Sequence, residues 1–173
     1  MIERAHAIGV FSLRCIDRVG REVWRDRIEN TVVDVGQNLM LDSALSGVNY
    51  TVVGPYLGFI SSVGFSGIVT TDTLQAHPGW NEAGNAHPPT FSTQRPLATF
   101  AAAITGSKSL VAPASVVASG AGMIEGCFLV FGPGAVPLID STTGVLYSAG
   151  LGASAPYSVS PGDTIEVTYT TSL

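Results

Sequence analysis

A chain of 173 residues with 20 Gly and 10 Pro has room for one domain and is punctuated too often for long helices. Only 12% of its residues are charged, about half the ordinary share of roughly 25%, so too little charge remains to solvate a free surface everywhere and part of it is expected to meet other chains. The net charge of −5 argues against nucleic acid as a partner, because phosphate binding needs clustered Lys and Arg.

Charge is concentrated at the start. Residues 1–30 hold six arginines (Arg4, Arg14, Arg18, Arg21, Arg25, Arg27) among five acids, whereas the rest of the chain has only Arg95 and Lys108 against eight acids. The segment "HAIGVFSLRCIDRVGREVWRDRIENTVVD" alternates as two β segments about a turn at residues 18–21. Ile8, Val10, Ser12 and Arg14 share one face, and Phe11, Leu13 and Cys15 the other; further on, Val23, Arg25 and Arg27 oppose Trp24, Asp26 and Ile28. Such a ribbon suits an extended N-terminal arm lying on another subunit as well as it suits a hairpin, so residues 1–30 are set apart from a single domain over 31–173. Met1 is followed by no basic start and apolar core of an export signal, and no apolar stretch escapes Gly and Pro for long enough to span a membrane. Synthesis in the cytoplasm, with no membrane partner, is expected.

"DVGQNLMLDSALSG" predicts one short helix near 35–46, with Asp34 as its N-cap and Gly47 as its stop. "GPYLGFISSVGF" reads as a buried strand carrying Tyr56, Phe59 and Ile60. Residues 62–90 hold four Gly and three Pro and predict a long loop, which its length marks as functional or disordered. Beyond it, "TFSTQ", "LATFAAAITG", "ASVVASG", "MIEGCFLVFG", "GVLYSAG", "YSVSPGD" and "TIEVTYTTS" are short strands separated by regular Gly and Pro turns, the pattern of a sandwich or barrel. "SPGD" is a type I or II turn with Pro at its second position. The expected class is all-β.

The stretch "TDTLQAHPGWNEAG" most resembles a site. Asp72, His77, Trp80 and Glu82 lie within it, and His87 just beyond. Zinc ligands usually come as a pair within four or five residues on one rigid element, and this loop offers none. Asp72 reads as a turn residue accepting backbone hydrogen bonds. Trp80 suits a packed lid, an anchor for a neighbouring subunit, or a stacking platform for carbohydrate. "GFSGI" is not a nucleophile elbow and "GLGASA" is not a dinucleotide fingerprint. Cys15 and Cys127 have no partners at metal-ligand spacing; buried thiols are the expectation, with one bridge left open. Neither an enzyme, a cofactor nor a metal is expected.

The order of these elements resembles a family of small tailed-bacteriophage virion proteins, in which a "G-x-N-x-x-L-D" helix precedes a "Y-x-G-x-I" strand and a "D-T-x-x-x-H-x-G-W" loop. Here those positions are Gly36, Asn38, Leu41, Asp42, Tyr56, Gly58, Ile60, Asp72, Thr73, His77, Gly79 and Trp80, with Glu82 close behind. The resemblance implies a jelly-roll-like β-sandwich acting as a cement or decoration protein on the capsid surface. Its partners would be the major capsid protein and itself, as a dimer or trimer. Candidate interface residues are Arg14, Arg18, Arg21, Trp24, Arg25 and Arg27 of the ribbon, with His77 and Trp80 of the loop. A tail or fibre component, and a carbohydrate-binding or hydrolytic β-sandwich using residues 71–87, are the alternatives.

Overall fold

The computed structural model describes residues 7–45 and 53–172. The strands are β1 (Ile8–Ile16), β2 (Glu22–Val32), β3 (Tyr56–Ser61), β4 (Asn81–Gly84), β5 (His87–Thr90), β6 (Ser107–Ser109) and β7 (Ala114–Val117). Then come β8 (Gly122–Phe131), β9 (Val145–Leu151), β10 (Tyr157–Val159) and β11 (Thr164–Ser172), with one helix, α1 (Asp34–Leu45), after β2. The chain is all-β and sandwich-like.

Neighbouring strands run β5-β4-β3-β8-β9-β2-β1-β11-β6, with β10 added on β8 and β7 on β11. Every pairing is antiparallel except β4 with β5. The fold turns on β2. Its first part pairs with β1, down to Glu29 opposite Val10, while Asn30, Thr31 and Val32 pair with β9. One strand therefore belongs to two sheets, and the sheets close over a common core. Phe11 and Leu13 of β1, Ile28 of β2 and Ile165, Val167 and Tyr169 of β11 meet Leu57 and Phe59 of β3 and Ile124, Cys127 and Leu129 of β8 there. Alternation explains this for β1 and β11, where every second side chain is buried.

β8 breaks the alternation, because Cys127 to Val130 are buried without a gap. Its second face lies under another layer, in which Val33, Ile60, Leu74, Trp80, Phe128, Val130 and Leu146 form a separate apolar cluster. Residues 62–80 are the lid of that layer. Strands covered on both faces read as continuous apolar runs, as "CFLV" does. Gly58 faces Phe128 across the β3–β8 pair, and any side chain there would run into the Phe128 ring.

One open choice closes and two expectations change. Of the arm and the hairpin left open for the ribbon, residues 8–32 form the hairpin, with β1 paired along all nine of its residues with β11 and residue 30 inside β2. The helix appears, but Asp34 is not its cap. Val33 supplies the first carbonyl, accepting from Gln37 N–H at 3.0 Å, and Asp34 sits in the first turn, where a negative charge suits the helix dipole. The helix docks through Gly36, where a Cβ would collide with the Tyr147 carbonyl, and through Leu39, while Leu41 and Leu45 are 59% and 76% exposed. Gly47 lies outside the described residues. Finally, the loop expected over 62–90 contains β4 and β5. Neither "NEAG" nor "HPPT" favours strand by composition; β5 carries its two prolines at the sheet's edge, where the ladder tolerates them.

The turns follow their residues. In "SPGD", Gly162 has φ 90°, which makes the turn type II, and Asp163 closes it by accepting from Ser160 N–H at 2.8 Å. In the β1–β2 turn, Asp17 Oδ1 accepts from the N–H groups of Val19 and Arg21, each at 2.9 Å. Those two bonds and the Arg21 side chain hold the Asp17 carboxyl below its ordinary range.

Candidate functional site

The 71–87 stretch resolves into packing. Trp80 is 2% exposed; its ring stacks on His77 with centroids 3.8 Å apart and tilts against Phe128 at 5.0 Å. Its Nε1–H donates to Asp72 Oδ2 at 3.0 Å. The same carboxylate oxygen accepts from Val69 N–H at 3.1 Å. Asp72 is thus the buried acceptor that lets an indole sit wholly inside the lid, since a buried N–H needs a partner. His77 Nδ1–H donates to the Trp80 carbonyl at 2.8 Å, which places the imidazole as a half-buried cover over the indole. The lid is sewn to itself as well: the Gly79 carbonyl accepts from Ser66 N–H at 2.7 Å and from Gly67 N–H at 3.2 Å.

Glu82 leaves this group and joins Arg95. Arg95 Nε and Nη2 donate to its two carboxylate oxygens at 2.7 and 2.6 Å, and both side chains are buried. Arg95 Nη2 also donates to the Ser141 carbonyl at 2.9 Å, and Asp140 N–H donates to Glu82 Oε2 at 2.7 Å. The pair ties β4, the 91–97 segment and the 137–143 segment together. Burial raises the Glu82 carboxyl above its ordinary range, against the opposing pull of the Arg95 guanidinium. Asp72 and Glu82 therefore serve different partners and make no shared acid–base pair. Among the described residues no three His, Cys, Asp or Glu side chains gather as a metal site. Arg95 was legible only as an isolated arginine in a charge-poor region, a position where a buried partner is the natural expectation.

The ribbon residues divide by face. Trp24 lies on the inner side, stacked on Tyr157 at 4.7 Å, with its Nε1–H donated to the Ser158 carbonyl at 2.8 Å. Asp26, two residues on, accepts from the Tyr157 hydroxyl and from Ser154 N–H, so this side of β2 is fastened to the segment leading into β10. The Tyr157 bond holds the Asp26 carboxyl below its ordinary range despite partial burial. Arg18 and Arg21 sit at the turn; Arg18 donates to the Pro161 carbonyl at 2.7 Å and Arg21 pairs with Asp17 at 2.8 Å.

Arg14, Arg25 and Arg27 stand together on the outer face. Antiparallel register puts Arg14 opposite Arg25 on one side and Glu166 on the other, with Ser12 opposite Arg27 and Thr168. Residues opposite each other in a ladder share a face. The result is a shallow groove of about 610 Å³ floored by strands and walled by these three guanidiniums, Glu166, Thr168 and Pro113. Arg14 is held by Glu166 at 2.7 Å and Arg25 by Glu22 at 2.6 Å. Arg27 makes no ion pair among the described residues. The groove thus presents hydroxyl and guanidinium groups side by side on one sheet face.

Both cysteines are free and buried. Burial, with Asp163 beside it, pushes the Cys15 thiol up to about 12, and burial alone drives Cys127 up; neither has the thiolate character that reactivity requires. Among the described residues no helix is long and apolar enough to cross a membrane.

Fold and surfaces together define a β-sandwich-like scaffold with a covered outer layer and a polar, arginine-bearing sheet face. No protein-family model and no curated protein matches the chain.

Proposed function

We propose that this chain is a structural component of a tailed-phage virion, a cement protein that binds the major capsid protein at the capsid surface through the outer face of β11, β1 and β2. The observation that carries the reading is the grouping of Arg14, Arg25 and Arg27 with Ser12 and Thr168 on one sheet face, in a chain whose later residues add only one arginine and one lysine. The order of helix, strand and loop motifs that resembles small phage virion proteins supports it, as does the low overall charge. Rim charges of this kind steer encounter and set salt dependence more than they set affinity, and many weak copies on a symmetric shell bind strongly through avidity.

Deleting residues 1–30 would remove β1 and most of β2 from the sheets, so the test uses substitutions. Co-sedimentation of the chain with purified capsid shells is expected to pellet it at low salt. Arg25→Glu with Arg27→Glu is expected to weaken pelleting at least tenfold with thermal unfolding unchanged. Failure to pellet at any salt overturns the capsid reading, and pelleting with isolated tails in its place assigns the chain to the tail.

A further inference from the structure

Antiparallel register arranges the outer face of β2, β1 and β11 in rows that cross all three strands. Arg25, Arg14 and Glu166 make one row, Arg27, Ser12 and Thr168 the next, and Glu29, Val10 and Thr170 the third. Successive rows on one face stand about 6.6 Å apart, twice the rise per residue. The middle row has the smallest side chain at its centre, Ser12, so the face is lowest there, and the groove of about 610 Å³ includes Ser12 in its lining. Every residue lining this groove, and both chain neighbours of each, lies among the described residues.

Arg14 stands directly opposite Arg25, and Arg27 follows Arg25 on the same face. Like charges placed so oppose strand pairing, and local conflicts of this kind persist chiefly at functional sites. Two of the three guanidiniums are answered within the chain: Arg14 Nε donates to Glu166 at 2.7 Å and Arg25 Nε to Glu22 at 2.6 Å. Asp26, the other acid lining the groove, is engaged by the Tyr157 hydroxyl and Ser154 N–H. Arg27 has no carboxylate within ion-pair distance among the described residues, and Glu29, the next acid along its strand face, lies opposite Val10. The uncommitted charge in the groove is therefore one guanidinium, with the Ser12 side chain opposite it and Thr168 one strand further.

That count selects the occupant. A planar guanidinium receives a single carboxylate through two parallel N–H···O bonds. A polyanion would bring flanking charges against Glu22, Glu29 and Glu166 beside the same groove, and would approach a chain of net charge −5. We infer, on the assembly reading above, that this groove takes one Asp or Glu side chain of the shell protein, laid over Ser12 and gripped by Arg27. Arg14 and Arg25, already paired, steer the approach; Arg27 supplies the bond that holds.

Two measurements on the full chain test it. Pelleting is compared between native shells and shells whose carboxylates have been amidated with carbodiimide and glycinamide and which remain intact by electron microscopy. Arg27→Gln, at an exposed position, and amidation are each expected to weaken binding at least tenfold, and together no further than either alone, with the unfolding temperature of the variant unchanged. In the second measurement, Arg27→Lys is pelleted with native shells and treated with carbodiimide, and mass spectrometry is expected to find position 27 joined to an Asp or Glu of the shell protein, with less coupling from Arg14→Lys and Arg25→Lys. An Arg27→Gln chain that pellets like the wild type, equal binding to amidated shells, or coupling no greater from position 27 than from 14 and 25 overturns the inference and leaves the capsid reading standing. Pelleting abolished by nuclease treatment of the shells assigns the groove to phosphate and overturns it. Wild-type chain that never pellets with shells overturns both.

Discussion

Replacing Trp80 with Ala distinguishes packing from recognition in the 71–87 stretch. The indole is almost fully buried, lies between His77 and Phe128, and supplies one of the two N–H donors to Asp72. Truncating a buried aromatic costs about 3–5 kcal/mol. The upper end applies here, because a carboxylate that loses a donor inside the protein adds a desolvation cost of about 1–3 kcal/mol. For a chain of this length each kcal/mol moves the unfolding midpoint by about 2–4 °C, so a drop of roughly 10–20 °C is expected. Trp80→Phe keeps most of the packing and removes the N–H alone, and is expected to cost about 1.5–3 kcal/mol as the loss of a bond to a charged acceptor. Urea unfolding followed by far-UV circular dichroism measures both without relying on tryptophan fluorescence. If Trp80→Ala stays within about 0.5 kcal/mol of the wild type, the span usual for surface substitutions, the lid is not structural and the ring is free for a ligand.

The Glu82–Arg95 pair should behave asymmetrically: Arg95→Met alone is expected to cost about 3–5 kcal/mol by leaving a buried carboxylate unpaired, while Arg95→Met with Glu82→Leu recovers most of it in the same urea assay. In the single variant the Glu82 carboxyl loses its opposing guanidinium and rises further; the folded state then holds the proton to higher pH than the unfolded chain, so stability declines as pH climbs above about 4.3. Asp26 has the opposite sign. Its carboxyl is depressed by the Tyr157 hydroxyl, so that bond stabilises fully above the unfolded value of about 3.9 and is lost as pH falls through the lower folded value. The gap in unfolding temperature between the wild type and Tyr157→Phe is expected to be full at pH 6 and to close toward pH 2; a gap independent of pH would remove the carboxylate from the explanation.

Strand periodicity made β1, β2 and β11 legible because each has one wet face and one dry face. It served β8 less well: a strand dry on both faces loses its alternation, and what covers it is distant in sequence. β4 and β5 escaped notice because their composition opposes strand formation and only their edge position allows it. The helix was visible, yet its apolar residues misled, since a glycine against the Tyr147 carbonyl makes the close approach while Leu41 and Leu45 face outward. Arg14, Arg25 and Arg27 were legible as candidates by spacing; the register that lines them up with Glu166 was not, because β11 lies about 150 residues away. Trp24, His77 and Trp80 were interface candidates by residue type, with a packed lid already open to Trp80, and the structure shows their packing partners: Tyr157 for Trp24, and Phe128 and one another for the other two. "LATFAAAITG" was read as a strand, yet Leu97, Phe100 and Ile104 make only isolated bridges, because a run of small apolar residues carries no alternation to fix a register.

The pairing of β1 with β11 also sets when the molecule can be finished. Ile8 sits opposite Ser172 and Ile16 opposite Thr164, so β1 leaves the ribosome about 150 residues ahead of the strand that becomes its neighbour. At about 5–20 residues per second, that interval is on the order of 10–30 s. Until then the β1–β2 hairpin has an open edge and no core, and closure of so long a loop places the chain among slow-folding β topologies. Nascent chains crowded on one message would expose those edges to one another, which makes the spacing of ribosomes, and any holding chaperone, a determinant of how much protein reaches the folded state.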